Sequence, residues 1–343
     1  MSGPEAVTRA STSRPSASEA ERAGASSSAE RRRELIAYWG YRLAEKVINL
    51  LPRRVVLPLA AAAGNAAHDL TADKRGVVRG NLARAMQLPV DHPRVRRATR
   101  QAFRNYAKYL VDVMRLDSLE PSDVEKLVMI DNLPLLEEAR AAERGVLLCT
   151  VHVGGMDLIA PALFHHGHEL HVVADDTTYG RLYEHLRSIR ARHGLTLIGW
   201  RSLRGLFRAL RAGENLVLFC DGGYRDGDVP VEFMGEATTF PAGPATLSAR
   251  SGAPLLPVAC SRLPDERFRS RGLPLITAAS DEPAELYRAT QALADALGSV
   301  ITEDPGQWYI FRPVWPQTDA ERASARSALE AARRGEDWTK RTP

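Results

Sequence analysis

The chain has 343 residues, 44% of them hydrophobic and 26% charged, a balance that can bury one large core or two smaller ones and excludes disorder throughout. A formal net charge of +4 and a pI near 9.0 suit an anionic surface or substrate, but this modest excess does not by itself indicate nucleic acid. Cys149, Cys220 and Cys260 lie in or at the end of apolar runs with no C-x-x-C pair, and read as reduced core residues, not as disulfides or zinc ligands.

Residues 1–30 are rich in Ser, Ala, Gly and charge, so a disordered tail is predicted, without the apolar stretch of a secretory signal. From Glu34 to Leu51 the pattern is that of an amphipathic helix. Glu34, Arg42, Glu45, Lys46 and Asn49 share one arc, and Ile36, Trp39, Leu43, Val47, Leu50 and Leu51 lie opposite. Preceded by Arg31-Arg32-Arg33, the apolar face has two readings, a membrane interface or packing on the domain. A second apolar helical stretch runs to about Leu70. Its segment from Val55 to Ala67 is broken by Pro58 and Asn65 and falls short of the roughly 20 residues that span a membrane. Helical patterns follow at Val77–Met86 and Arg94–Leu116. In the latter Phe103, Tyr106, Ala107, Leu110, Val111 and Met114 form a stripe beside a basic face of Arg96, Arg97, Arg100, Arg104 and Lys108. That face is either simply solvated or set against anionic lipid.

From about residue 120 strands and helices alternate. Strands are predicted at 128–130, 147–151, 170–174, 196–199, 215–220, 254–261 and 274–277, with helices at 133–142, from Met156, and at 179–193, 202–212, 242–251 and 283–302. The expectation is an α/β fold with a largely parallel sheet flanked by helices, joined to an N-terminal amphipathic helical region. The division expected is a tail at 1–30, a helical membrane-associating region at 31–118, an α/β core at 119–318 and a polar peripheral tail at 319–343.

The central stretch is the apolar run ending at His152, which turns through Gly154-Gly155 and resumes as a helix from Met156. A residue just past such a strand faces the crevice where open α/β sheets bind ligands, and Asp157, five residues on, can meet His152 if the histidine is still in the loop. The two glycines permit the turn, and the helix start after them offers N–H groups to an anion. A histidine held by a carboxylate can remove a proton from a hydroxyl, with no separate nucleophile and no metal. An H-x4-D spacing is also a short pattern that arises where the histidine is merely packed. The second informative stretch is Asp221-Gly222-Gly223 followed by 231–244, expected to line the same crevice. There Glu232 is either a carboxylate within reach of His152 or an exposed strand residue, and Gly243-Pro244 opens a helix as a close approach to ligand or as a plain turn.

Together these residues resemble the bacterial glycolipid acyltransferases of the lysophospholipid acyltransferase superfamily, which include the lipid A secondary acyltransferases and a phosphatidylinositol mannoside acyltransferase. The resemblance covers about 35–317. It rests on 41–45 and 50–54, Gly80-Asn81-Leu82, 145–157 with H-x4-D, Phe233-Met234-Gly235, 241–244, 252–255 and Pro305-Gly306-Gln307-Trp308-Tyr309. It implies transfer of a fatty acyl group from an acyl thioester, acyl-CoA or acyl carrier protein, to a hydroxyl of a membrane glycolipid or lysophospholipid, without a cofactor. It also implies a peripheral location on the cytoplasmic face of the cell inner membrane. His152 would be general base, Asp157 its partner and Glu232 a glutamate beside the histidine. From the residues themselves, Gly154, Gly155 and Gly243 are candidate close approaches to substrate, and Arg190 and Arg201 are either contacts for an anionic donor or headgroup or ordinary surface arginines. Met156 and Asp221-Gly222-Gly223 depart from the family pattern. Two other functions fit the residues, a membrane-surface binding protein with a decayed fold of this kind and a thioester hydrolase.

Overall fold

The computed structural model describes residues 17–131, 133–141, 143–174, 180–199 and 202–338, with side chains of the first helix from Arg31 onward. Twelve α-helices and nine strands are found among them: α1 (Ala17–Leu50), α2 (Arg53–Leu70), α3 (Ala72–Ala85), α4 (Pro93–Arg115), α5 (Pro121–Leu127), β1 (Val128–Asp131), α6 (Leu133–Arg140), β2 (Val146–Thr150), α7 (Ile159–His165), β3 (Leu170–Ala174), α8 (Gly180–Arg192), β4 (Leu195–Gly199), α9 (Leu203–Arg211), β5 (Asn215–Phe219), β6 (Val229–Phe233), β7 (Glu236–Phe240), α10 (Gly243–Ser251), β8 (Leu255–Arg262), β9 (Phe268–Gly272), α11 (Pro283–Glu303) and α12 (Asp319–Arg333). The main sheet has the order β1-β9-β8-β2-β5-β3-β4. All its pairings are parallel except β8–β9.

β2 is central, and every one of its residues is buried, which is why the sequence shows an unbroken apolar run there and not an alternation. Successive side chains point to opposite faces. Leu147, Cys149 and Val151 join one core with α3, the first half of α4, α9, α10 and α11. Val146 and Leu148 join another with α5, α6, α7 and Ile189 of α8. Because α3 and α4 supply Val78, Leu82, Val95 and Phe103 to the first of these cores, most of the N-terminal helical region packs as part of the α/β body. The three cysteines are buried and unpaired. Burial pushes the Cys260 thiol up to about 12.

α1 is mounted the opposite way round from an ordinary surface helix. Part of its polar arc faces the protein, while Arg42 and Lys46 of that arc are exposed: Glu45 is buried and pairs with His185 of α8 at 3.0 Å, and the Asn49 side-chain amide donates to the Met114 carbonyl oxygen at 3.0 Å. Its apolar stripe of Ile36, Trp39, Leu43, Val47 and Leu50 is exposed. Leu51, at the end of the same apolar face, packs on the cluster of Val56, Leu57, Ala60 and Val111, whereas the other five side chains are left largely uncovered by the described residues. No helix among the described residues is long and apolar enough to cross a membrane.

Several boundaries differ from expectation. α1 starts at Ala17, inside the segment predicted to be disordered, consistent with its content of Ala and Glu, both strong helix formers; residues 1–16 lie outside the described set. The strand expected at 274–277 makes only an isolated antiparallel bridge from Ile276 to Leu255, and the neighbouring strand is β9. α12 occupies the tail expected to be peripheral. A reciprocal Thr318 and Glu321 capping box starts it, and Ala325, Leu329 and Ala332 are buried on the side of the β6–β7 hairpin.

Candidate active site

His152 and Asp221 come together because β2 and β5 are adjacent. Thr150 pairs with Phe219, so two residues further along each strand the chains place the histidine beside the aspartate. The Asp221 carboxylate is buried and accepts three hydrogen bonds, from His152 Nδ1 at 2.7 Å, from the His152 backbone N–H at 2.9 Å and from Trp308 Nε1 at 2.9 Å. Burial alone would push the Asp221 carboxyl up. The imidazole beside it, together with these donors, outweighs burial and holds it below the usual carboxylate range. With Asp221 ionised, Nδ1 carries the proton it donates, which leaves the Nε2 lone pair as the proton acceptor. The Phe219 ring, 4.5 Å from the imidazole between centroids, limits its rotation.

The imidazole forms part of the wall of a cavity of about 450 Å³. Side chains of five strands, including Leu148, Val172, Leu197, Val217 and Val258, make most of that wall, and polar groups on it include those of Tyr109, Asp157, Arg190 and Arg312. An elongated apolar chain can lie against such a surface with its polar end at His152. Among the described residues no group of three or more His, Cys, Asp or Glu side chains could hold a metal ion.

Asp157 lines the same cavity but is not the hydrogen-bond partner of His152. Its carboxylate accepts from Arg190 Nε at 2.9 Å and from the Tyr109 hydroxyl. Burial would raise the Asp157 carboxyl, and the Arg190 guanidinium more than offsets this, so it is held below the usual range. Asp157 in turn raises the Arg190 guanidinium further, and burial first and Asp157 second push the Tyr109 phenol well up. The cluster joins α4, the turn after β2 and α8 into one cavity wall, with Arg190 as a wall residue paired to Asp157. Arg201 lies outside the described residues.

Glu232 is also displaced from its expected position. It sits on the separate β6–β7 hairpin, where its half-exposed carboxylate pairs with Arg333 of α12 and stands apart from His152 and its cavity. Gly154, at φ +59°, is needed because a Cβ there would run into the Cys260 carbonyl oxygen. Its N–H donates to the Gln307 carbonyl at 3.2 Å, and that of Gly155 to the Cys260 carbonyl at 2.8 Å. Both N–H groups are thus engaged by the protein's own backbone and are not open donors for an anion. Gly243 opens α10, on the sheet face opposite the cavity. The motif glycines therefore set the packing of the His152 turn on β8.

Sequence reasoning placed Asp221 near the crevice without giving it to the histidine. The available signal was that two apolar runs each stop at an ionisable side chain, at Val151-His152 and at Cys220-Asp221. Trp308, in the Pro-Gly-Gln-Trp-Tyr motif, was a carrier of the resemblance whose bond to Asp221 only the fold reveals.

Residues 25–317 match the family described as bacterial lipid A biosynthesis acyltransferase. A phosphatidylinositol mannoside acyltransferase of Mycolicibacterium smegmatis is 29% identical over 244 residues, covering 69% of this chain and 78% of the relative. One from Mycobacterium tuberculosis is 28% identical over 267 residues, covering 73% and 80%. With its motifs seated around one cavity and the match extending over most of its length, the chain belongs to the bacterial lipid A biosynthesis acyltransferase family.

Proposed function

We propose that the protein transfers a fatty acyl group from an acyl thioester, acyl-CoA or acyl carrier protein, to a hydroxyl of a membrane glycolipid, with His152 as general base and Asp221 as the residue that orients it. The observation that carries this reading is His152, tied through Nδ1 to a buried aspartate at 2.7 Å on the wall of an apolar cavity. The acceptor hydroxyl gives its proton to Nε2 as its oxygen attacks the thioester carbonyl carbon. The tetrahedral adduct collapses with cleavage of the C–S bond, and the leaving thiolate takes the proton back from the imidazolium, which Asp221 stabilises meanwhile. The acyl chain lies along Leu148, Val172 and Val217. Neither a metal nor a cofactor has a part in these steps. The glycolipid acceptor is supported by the names of the two mycobacterial relatives.

The test is purified protein with radiolabelled acyl-CoA or acyl carrier protein and vesicles containing candidate glycolipids, followed by mass spectrometry of the lipids. Acyl-lipid formation is expected; release of free thiol at the same rate without acceptor would identify a thioester hydrolase instead. Asp221→Asn is expected to lose at least about a hundredfold in transfer, because the amide cannot hold the imidazole in the same tautomer or stabilise its cation. Glu232→Gln is expected to stay within about twofold, since its partner is Arg333 on the exposed hairpin side. The opposite ranking would mean that the hairpin carboxylate, not Asp221, serves the histidine.

The exposed stripe on α1, flanked by the exposed Arg31, Arg32, Arg33 and Lys46, fits docking on the anionic cytoplasmic surface of the cell membrane. Trp39 and Leu43 are 62% and 66% exposed. Each contributes roughly 1.5–3 kcal/mol if buried in lipid, so replacing both with Glu is expected to lower vesicle binding by more than about tenfold in a flotation assay. The melting temperature should be unchanged. A double variant that still floats but melts early would place the stripe in a protein contact.

A further inference from the structure

One charge at the cavity is used by neither of the two pairs already described. Arg312 shares the wall with His152 and is exposed, and among the described residues it forms no ion pair. The other arginine of the wall differs in this respect: Arg190 is paired to Asp157.

The backbone beneath Arg312 is firmly held. Its carbonyl oxygen accepts from the buried Asn81 side-chain amide at 2.8 Å, and the Asn81 side-chain oxygen accepts from the Val314 N–H at 3.3 Å. The preceding Phe311 ring packs on Phe103 and Tyr106 with centroids 5.1 and 4.8 Å away. On the other side, the following Pro313 carbonyl oxygen lies 2.6 Å from where a Cβ on Gly223 would be, a position with φ +94°. A Cβ on Gly222 would lie 4.0 Å from Arg312 Nη2, so the guanidinium lies over the loop that carries Asp221. Asn81 and the Asp221-Gly222-Gly223 loop together make a base for a cation that no described residue pairs, beside His152.

We propose that Arg312 is an anion-binding residue that seats a substrate phosphate at the mouth of the cavity. The proposal rests on the acyl-transfer reading and deepens it by naming what the site recognises. A guanidinium offers a planar fork of donors that matches two phosphate oxygens. Charge supports the assignment as well: a cation that no described residue neutralises opposes, in the same cavity, the imidazolium that forms during proton transfer, and a bound phosphate removes that opposition. The phosphate belongs either to the phosphopantetheine arm of the thioester donor or to the headgroup of the acceptor lipid.

The experiment separates these sources by calorimetric titration of coenzyme A and of glycerophosphoinositol into wild type, Arg312→Gln and Arg312→Lys at low and high salt. One probe is expected to lose roughly 10- to 100-fold in affinity for Arg312→Gln, with partial recovery in Arg312→Lys, as for a hydrogen-bonded charge contact. Its salt dependence should flatten in Arg312→Gln. Loss for coenzyme A assigns the donor phosphate, and loss for glycerophosphoinositol the acceptor phosphate. Affinities of Arg312→Gln within twofold of wild type for both probes, or no binding of either probe by wild type, would overturn the proposal. Transfer kinetics run alongside keep the two readings apart. Arg312-dependent binding by a protein that transfers no acyl group retains the site and rejects the transferase. Transfer by Arg312→Gln with wild-type KM for both substrates does the reverse.

Discussion

His152→Ala is expected to reduce acyl transfer by about 10²–10⁴-fold, because removing a positioned general base leaves only substrate binding and whatever polarisation the cavity supplies. The fold should survive. The imidazole is 28% exposed, and Asp221 keeps two of its three donors, the residue 152 backbone N–H and Trp308 Nε1. Loss of the ring, the main group opposing burial, raises the Asp221 carboxyl from its depressed value. Below neutral pH this makes the variant's stability fall off at a higher pH than the wild type's, because a depressed carboxyl stabilises above its unfolded range and loses that contribution as pH drops. Single-turnover transfer and a thermal melt at two pH values check both parts. Activity within a few-fold of wild type would remove His152 from the mechanism.

The largest stability effect is expected at Arg190. In Arg190→Met the Asp157 carboxylate, 12% exposed on its side chain, keeps the Tyr109 hydroxyl but loses its counter-charge. Breaking a buried pair from one side costs roughly 3–5 kcal/mol, on the order of 5 °C in melting temperature for a chain of this length. Arg190→Met combined with Asp157→Asn is expected to recover part of the loss, because the uncompensated charge is then gone. Denaturant titration of the three variants measures it. If Arg190→Met alone costs less than about 1 kcal/mol, the pair is solvated through the cavity and does not brace its wall. The wild-type pair should also weaken on acidification: the Asp157 carboxyl is held low, so its contribution is present at neutral pH and disappears as pH falls through the carboxylate range.

Parts of the molecule with a strong local signal were legible in the sequence. The apolar runs of β2, β5 and β8 and the helical periodicities of α2, α4 and α11 lie within a few residues of their expected positions, because burial on both faces or along one stripe writes a regular pattern into the chain. β9 was hidden: Phe268 and Ser270 face inward while Arg269 and Arg271 alternate with them, so a single large apolar side chain among polar neighbours reads as a loop. α12 was hidden likewise, its few buried Ala and Leu positions scattered among charges.

The sequence by itself determined that this is an α/β chain with a histidine at the end of its central strand, a glycine turn after it and an amphipathic N-terminal helix. Those features depend on neighbours in the chain, whose spacing is visible. Which carboxylate holds the histidine depended on strand order. Asp157 is five residues away and Asp221 sixty-nine, yet the adjacency of β2 and β5 puts the distant one on Nδ1 and gives the near one to Arg190. Orientation of α1 was likewise tertiary: the pattern defined two faces, but only Glu45, Asn49 and their partners on α8 and α4 turned that part of the polar face inward. Periodicity records that a face is apolar. Which surface covers that face is decided by packing between segments far apart in the chain.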